Sequence, residues 1–385
     1  MAVRSAFLVA ARRTALGRIG GLHRNRRVQD LAGPVIAEAL KDVGLSPAQV
    51  DRLIVGNASE TGNPARLVAL TSGLPDGVPA LTVDQQCASG LAAILDAIRC
   101  VATGEAEVIV AGGAEAISMA PWQVAKPRAL HQTPRFVALS AGNEDSADAA
   151  LGLEADEHLG RRLKLSRQQQ DDFALRSHLK AAIARDARRF LKEIVPLKAT
   201  ADEGRDQSAT EPELQDLQEA PPLLGEGTLT SANTSALHDG AAFAVIVSEA
   251  MWTSLGRPPA LRLVASAMSG VAPRETAESP MVALRRLVVR APGLVIGQVG
   301  VIELSETSAI QAIAVRNALG LADEALNPDG GAVVRGHPLG AASAVLVARL
   351  FTRMARVPAT ERSKQGIAVL GARGGIGIAA LFEAV

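Results

Sequence analysis

Short apolar runs alternate along this chain with segments whose apolar residues recur every third or fourth position. That mixture of strand and helix periods predicts an α/β fold. A first strand is read over residues 5–11, then a helix over 29–43 with Leu31, Val35, Ile36, Leu40 and Val43 on one face. Residues 53–56, 80–83, 107–111 and 240–247 read as further strands of the same half. Leu91, Ile94, Leu95, Ile98 and Val101 mark a helix that Gly104 ends. From residue 260 a second series follows in similar order, with strands at 261–265 and 299–304 and helices at 281–289, 306–319 and 341–353. Two strands, 366–370 and 376–382, close it around a glycine turn. The repeated order predicts a structural duplication, although the halves share little residue identity.

Residues 118–230 break the pattern and are richer in charged and polar side chains. They include a helix over 168–189, capped by Ser166 with Gln169 three residues on. An acidic, proline-containing stretch at 202–222 is read as a surface excursion. An insertion of this size serves as a lid or binding loop, or as an oligomerisation arm. The expected organisation is an N-terminal half at 1–117 plus 240–258, an insertion at 118–239 and a C-terminal half at 259–385.

Composition narrows the function. Lys+Arg and Asp+Glu both total 40, so the net charge is zero, which argues against a general nucleic-acid or membrane-surface binder. Tyrosine is absent and aromatics are 2%, so stacking platforms for bases are not expected. Two cysteines cannot form a disulfide framework, and with six dispersed histidines they make a poor metal site. A reducing, cytoplasmic interior is the expected setting. No stretch approaches a membrane span. Residues 1–29 carry Arg4, Arg12, Arg13, Arg18, Arg24, Arg26 and Arg27 with no acid, as a transit peptide can, but residues 6–11 read better as a first buried strand. The last residues, Phe382-Glu383-Ala384-Val385, are no peroxisomal address.

The candidate chemistry centres on Cys87, in Gln85-Gln86-Cys87-Ala88-Ser89-Gly90, where a strand gives way to a helix. The first amides of a helix lack intrahelical partners, and the dipole adds positive charge there. A cysteine so placed is expected to titrate below about 8.5 and to act as a nucleophile; the alternative is an inert buried thiol. Cys100 falls on the opposite side of the same helix and is read as core. His337 lies in Gly336-His337-Pro338-Leu339-Gly340, where Pro338 holds it on a bend before a helix, and histidine is the natural acceptor for a thiol proton. Residues 231–240 offer small hydroxyl and amide groups for an amide-bearing ligand tail, or simply a turn before a strand. Residues 371–377 form a glycine loop without a phosphate-binding pattern.

CASGLAAI at 87–94, NTSALHDGAA at 233–242, GGAVVRGHPLGAASA at 330–344 and GGIGIAALFE at 374–383 resemble the signature blocks of the thiolase family. The resemblance runs from Arg12-Arg13-Thr14 to the C-terminus and includes NPAR at 63–66, AGGAEAISMAP at 111–121 and SRQQQDDFALRSHLKAA at 166–182. It implies a five-layer αβαβα sandwich of two similar halves with an insertion. It also implies a homodimer or homotetramer, and an activity on coenzyme A thioesters with no other cofactor. By the same resemblance Cys87 takes the acyl group, His337 activates it, Ser235 touches the pantetheine amide region, Gly377 lies in an oxyanion hole and Arg205 contacts a coenzyme A phosphate.

Two departures from the family pattern matter. The second cysteine, which acts as base on the α-carbon, is replaced by Gly371, and Arg373 interrupts the following glycines. Ser305 stands where the family has an asparagine that orders a water. Loss of a general base costs about 10²–10⁴-fold, and loss of an oxyanion donor about 10²–10³-fold. Three functions therefore compete. The first is β-ketoacyl thioester formation or cleavage with another base, such as His337, His131 or His158. The second is acyl transfer through Cys87 without α-deprotonation, for instance with a malonyl-type donor. The third is a coenzyme A thioester-binding subunit without turnover. A cysteine restored at 371 should raise thiolytic activity where the surrounding pocket keeps room for it.

Overall fold

The computed structural model of the chain describes residues 4–127, 129–137, 149–198, 204–209, 212–358, 360 and 362–385. The N-terminal half runs β1 (Ala6–Arg13), β2 (Gly17–Arg18), α1 (Val28–Lys41), β3 (Arg52–Gly56), α2 (Pro64–Thr71), β4 (Ala80–Val83), α3 (Ser89–Thr103) and β5 (Val108–Glu115). The insertion carries a two-stranded ribbon, β6 (Gln123–Ala125) and β7 (Arg135–Val137), then α4 (Ala149–Arg162), α5 (Arg167–Asp186) and α6 (Leu214–Glu219). The chain returns through β8 (His238–Ser248) and α7 (Glu249–Ser254). The C-terminal half follows as β9 (Leu261–Gly270), α8 (Ser279–Arg290), β10 (Val301–Leu304), α9 (Ala309–Leu319), α10 (Ala332–Arg335), α11 (Leu339–Met354), β11 (Gln365–Ala372) and β12 (Ile376–Ala384).

The strands join in the order β10-β11-β12-β9-β1-β8-β5-β3-β4, with β2 beside β8. Only two residue pairs, Phe7 with Arg262 and Leu8 with Leu261, link β1 to β9, so two half-sheets meet at that seam. Within each half the order and sense agree. A parallel pair (β3–β5 and β10–β11) is followed by two antiparallel ones (β5–β8–β1 and β11–β12–β9). An isolated bridge between Ile302 and Leu326 stands where the second half would carry the counterpart of β4. The duplication read from element order is therefore present in the hydrogen bonding itself.

Three packed clusters define the layers. Alternate residues along each strand face opposite sides. Val108, Val110, Val245 and Val247 pack outward onto α1, while Ile109, Ala111, Ala244 and Ile246 pack inward onto α3 and α11. Ile367, Val369, Ala379 and Leu381 pack onto α8 and α9 on the far face of the second half-sheet. The result is helix, sheet, helix, sheet, helix, with α3 and α11 as the middle layer. Helix α11 is buried along nearly its whole length, which explains its unbroken run of small and aliphatic residues. It touches α3 backbone to backbone: a Cβ added at Gly90 would lie 2.8 Å from the Ala344 Cβ and 2.9 Å from the Gly340 carbonyl oxygen. The Leu91 N–H donates to the Ser343 hydroxyl at 2.8 Å across the same contact.

The insertion is anchored by charge. The described residues of the stretch at 202–222 lie mostly at the surface, as expected, but Asp206 is buried and accepts two hydrogen bonds from the Arg13 guanidinium at 2.5 and 3.0 Å. Arg13 also donates to Glu193 at 2.6 Å, and Glu193 in turn pairs with Arg349 of α11. Burial alone would raise the Glu193 carboxyl, but Arg349 and Arg13 overcome it and hold it down at about 2. The capping of α5 follows the sequence: Ser166 accepts from the Gln169 N–H, and Gln169 bonds back to the Ser166 N–H at 2.9 Å. No helix among the described residues is long and apolar enough to cross a membrane.

The α3–α11 contact yields a first prediction. Gly90→Ala places a methyl against Ala344 and the Gly340 carbonyl, and is expected to destabilise the fold by about 1–3 kcal/mol. A urea midpoint equal to that of the parent would contradict the tight packing of the middle layer.

Candidate active site

Cys87 is presented by a strained turn. Between β4 and α3, Gln86 has φ +54°, in the left-handed region that costs a non-glycine residue about 1–3 kcal/mol. Ser89 holds the turn: its hydroxyl accepts the Gln85 N–H at 2.8 Å and donates to the Gln86 carbonyl at 2.5 Å. Cys87 precedes the N-cap Ala88 and, although only 4% exposed, lines a cavity of about 390 Å³.

His337 reaches the same cavity from the other half of the molecule. It sits between α10 and α11, as the proline after it predicts. Its backbone is pinned on both sides: its N–H donates to the Ala236 carbonyl at 2.9 Å, and its carbonyl accepts the His238 N–H at 3.1 Å. Gly336, at φ +99°, leaves no room for a Cβ because the His238 ring lies against it. Glu115 accepts the Gly340 N–H at 2.9 Å and the Ala58 N–H at 3.0 Å, tying the start of α11 to the end of β5. Both ring nitrogens of His337 are buried, and neither has a hydrogen-bond partner among the described residues.

The electrostatics differ from the sequence expectation. Burial pushes the Cys87 thiol up to about 11, against the pull of the Arg373 charge and of the backbone N–H groups of Arg373 and Cys87. The helix start does not lower it, because desolvation of the thiolate outweighs a partial dipole charge. Burial takes His337 the other way, down to about 3, with the positive charges of Arg373 and His238 adding to the effect. The resting pair is a thiol beside a neutral imidazole.

The remaining candidates divide. Ser235 lines the cavity, and its N–H and hydroxyl both donate to the Thr307 carbonyl, at 3.0 and 3.2 Å. Ser305 lies behind the imidazole, where it shares a space of about 10 Å³ with His337, about the size of one water; its hydroxyl has no partner among the described residues. Gly371 lines the main cavity, but Gly377 does not. Gly377 pairs in register with Gly371 across β11 and β12, and its α-carbon is packed against Ser269 and Ser279. That corrects the expectation for Gly377: the amide directed at Cys87 belongs to Arg373. Arg205 is exposed and lines no part of this cavity, as are His131 and His158. Cys100 is half-buried at the far end of α3, packed against the core with Arg52 at 3.3 Å.

Two carboxylates escaped the sequence reading. Asp156 of α4 lines the cavity, hydrogen-bonded to Ser308, and burial pushes it up to about 7. In LGLEADEH nothing distinguished it from its acidic neighbours. Glu115, also raised to about 7 by burial, had a usable signal as the lone acid in an apolar strand.

Residue 371 has little room for a side chain. A Cβ built at Gly371 would lie 2.7 Å from the Ser279 hydroxyl oxygen and 2.9 Å from Pro280 Cγ. Any side chain there needs the start of α8 to move.

Comparison with known proteins identifies this arrangement. The family model described as thiolase, N-terminal domain, matches residues 6–250, and that described as thiolase, C-terminal domain, matches residues 257–384. The chain belongs to the thiolase family. This thiolase is similar to the beta-ketoadipyl-CoA thiolase of Pseudomonas putida (35% identical, covering 100% of both chains). It is also similar to the acetyl-CoA acetyltransferase of Shinella zoogloeoides (34%, covering 98% of this chain and 99% of that one). Among solved structures, the Bacillus anthracis acetyl-CoA acetyltransferase superposes over 100% of both chains with a TM-score of 0.91 at 31% identity. Human mitochondrial 3-ketoacyl-CoA thiolase does so with a TM-score of 0.89 at 30%. The thiolase is accordingly a thiolase-type acyl-CoA C-acyltransferase.

Two expected outcomes follow from the geometry. Alkylation of Cys87 by iodoacetamide, followed by peptide mass spectrometry, should accelerate with pH up to about 11. It should show no step between about pH 5 and 8, since His337 is already neutral there. A plateau near neutrality would contradict the buried thiol. Gly371→Cys alone should give no gain in acetoacetyl-CoA thiolysis and should lose about 1–3 kcal/mol of stability through overpacking. Adding Ser279→Gly, which removes the nearer of the two contacts and leaves Pro280, should recover only part of that loss on denaturant unfolding.

Proposed function

We propose that Cys87 forms an acyl-enzyme with a coenzyme A thioester and that His337 moves the proton. The observation that carries this reading is that one residue from each half, the thiol and an unpartnered neutral imidazole, lines a single cavity. The sulfur attacks the thioester carbonyl while its proton passes to His337. The amides of Arg373 and Cys87 receive the developing oxyanion, a contribution worth about 10²–10³-fold per donor. His337 returns the proton to the departing coenzyme A thiolate. The pantetheine arm runs past Ser235 and Thr307, whose polar groups suit its amides.

The fate of the acyl group is the second step. Among the groups lining the cavity, Gly371 has no proton to exchange, and the packing of Ser279 and Pro280 leaves no room for one that does. This favours carbon–carbon bond formation without removal of an α-proton, as with a malonyl-type donor whose lost carboxyl group leaves the carbanion. β-Ketoacyl thioester formation or cleavage by deprotonation would have to draw on Asp156 or His337 instead. The exposed Leu81 on the edge strand β4, next to Leu67 and Leu70 of α2, supports a homodimer or homotetramer. Two free thiols support a reducing, cytoplasmic setting.

Incubation with acetyl-CoA, digestion and mass spectrometry should find an acyl adduct on the Cys87 peptide, absent from Cys87→Ala and slowed about 10²–10⁴-fold in His337→Ala. Acylation without cleavage of acetoacetyl-CoA by free coenzyme A supports the route without deprotonation. A Cys87 that no thioester modifies would leave only a binding subunit.

A further inference from the structure

The cavity is lined mainly by apolar and small polar groups, and Arg373 is its one basic side chain among the lining residues apart from the neutral His337. Arg373 is half-buried in the turn between β11 and β12, and its backbone N–H points at the Cys87 sulfur. Arg373 lines the same cavity as Cys87 and His337, and its positive charge acts on both the thiol and the imidazole. Leu153, Leu223, Leu237 and Leu339 form the surrounding wall, and in so apolar a space an opposite charge is attracted more strongly than in water. The phosphates of coenzyme A are at the other end of the pantetheine arm. A cation against the nucleophile therefore reads the acyl end of the substrate.

We propose that the Arg373 guanidinium anchors a carboxylate on the acyl group, so that the site selects coenzyme A thioesters of dicarboxylic acids, malonyl- or succinyl-type, over uncharged ones. The inference rests on the acyl-enzyme reading for its location but not for its test. A guanidinium has five N–H donors in a planar fork, enough to hold a carboxylate in addition to contacts within the protein. Asp156, raised to about 7 by burial and hydrogen-bonded to Ser308, carries only part of a charge near neutrality. A substrate carboxylate also removes an obstacle: the Arg373 charge opposes protonation of His337, and an anion beside the guanidinium offsets that field when the imidazole takes the thiol proton. In the step itself the Cys87 S–H and acyl–S bonds break, a new acyl–S bond to Cys87 forms, coenzyme A leaves as a thiol and the carboxylate is unchanged.

Equilibrium binding to Cys87→Ala, which cannot be acylated, tests the selection without any turnover. Succinyl-CoA should bind at least about tenfold tighter than butyryl-CoA, which has the same four-carbon chain without the charge. In Cys87→Ala/Arg373→Gln that ratio should fall to within about threefold, while Cys87→Ala/Arg373→Lys keeps part of it. A purely structural defect would weaken both ligands and leave the ratio alone. Malonyl-CoA bound more tightly than succinyl-CoA assigns the carboxylate that is lost on condensation, and the reverse order assigns one that is retained. A ratio near one in Cys87→Ala, or a ratio unaltered by Arg373→Gln, overturns the proposal. Failure of Cys87 to become acylated would instead overturn the nucleophile reading.

Discussion

The close approach of α3 to α11 is the constraint on which the rest of the structure depends. Each half of the duplicated fold sends one helix into the middle layer, and each of these helices begins beside a reactive side chain: Cys87 ahead of α3, His337 ahead of α11. Only if the two helices touch at their N-terminal turns can the thiol and the imidazole share a cavity. Glycine makes this contact possible. Gly90 meets Ala344 and Gly340, and Gly113 meets the backbone at Gly340 and Ala341, with no space for a Cβ at either. The hydrogen bond from Leu91 to Ser343 sets the relative height of the two helices. Glu115 fixes the second of them from the N-terminal half.

That burial decides the electrostatic state of the site. A thiol and an imidazole at a protein surface could rest as an ion pair, but here both are buried, which disfavours either charge. Desolvation outweighs the dipole of α3, and Arg373, which would favour the thiolate, equally disfavours the imidazolium. Burial therefore favours the neutral form of both partners, and on the proposed reading charge separates only in the reaction, when amides already directed at the sulfur receive the oxyanion. The strain at Gln86 belongs to the same design, because the left-handed turn lifts Cys87 ahead of the helix rather than into its hydrogen-bonded body.

Much of this was legible in the sequence because the signals were local. The period of Leu91, Ile94, Leu95, Ile98 and Val101 marked α3, and Gly104 does end it, at φ +81°. Pro338 placed His337 on a bend before a helix. The unread part depends on contacts between distant segments. Asp206 looked like one acid in a polar stretch, and only Arg13, far away in β1, makes it a buried anchor. Asp156 becomes a cavity group only because α4 packs beside Ser308. The level of the Cys87 thiol was misjudged for the same reason, since a helix start is visible in sequence and the depth of a cavity is not. Gly377 pairs directly with Gly371 and, like it, faces the start of α8, a placement set by strand pairing that the glycine spacing does not reveal.

The changes around Cys87 form a single steric and electrostatic unit. Glycine at 371 carries no titratable group, and by itself it would leave a gap in a packed interior. The Ser279 hydroxyl, donating to the Thr276 carbonyl at 2.8 Å, and the Pro280 ring fill the space into which a side chain at 371 would project. Two residues on, Arg373 supplies the turn with a charge while its amide keeps the contact with the sulfur. On the proposed reading, the backbone amide at 373 serves acyl capture at Cys87, while the packing at 371 leaves no room for a group that would abstract a proton. Chemistry at the acyl carbon requires only the former. On the proposed reading, carbon–carbon bond formation then draws its carbanion from a donor that sheds its own carboxylate, so that no group at 371 is needed to remove an α-proton.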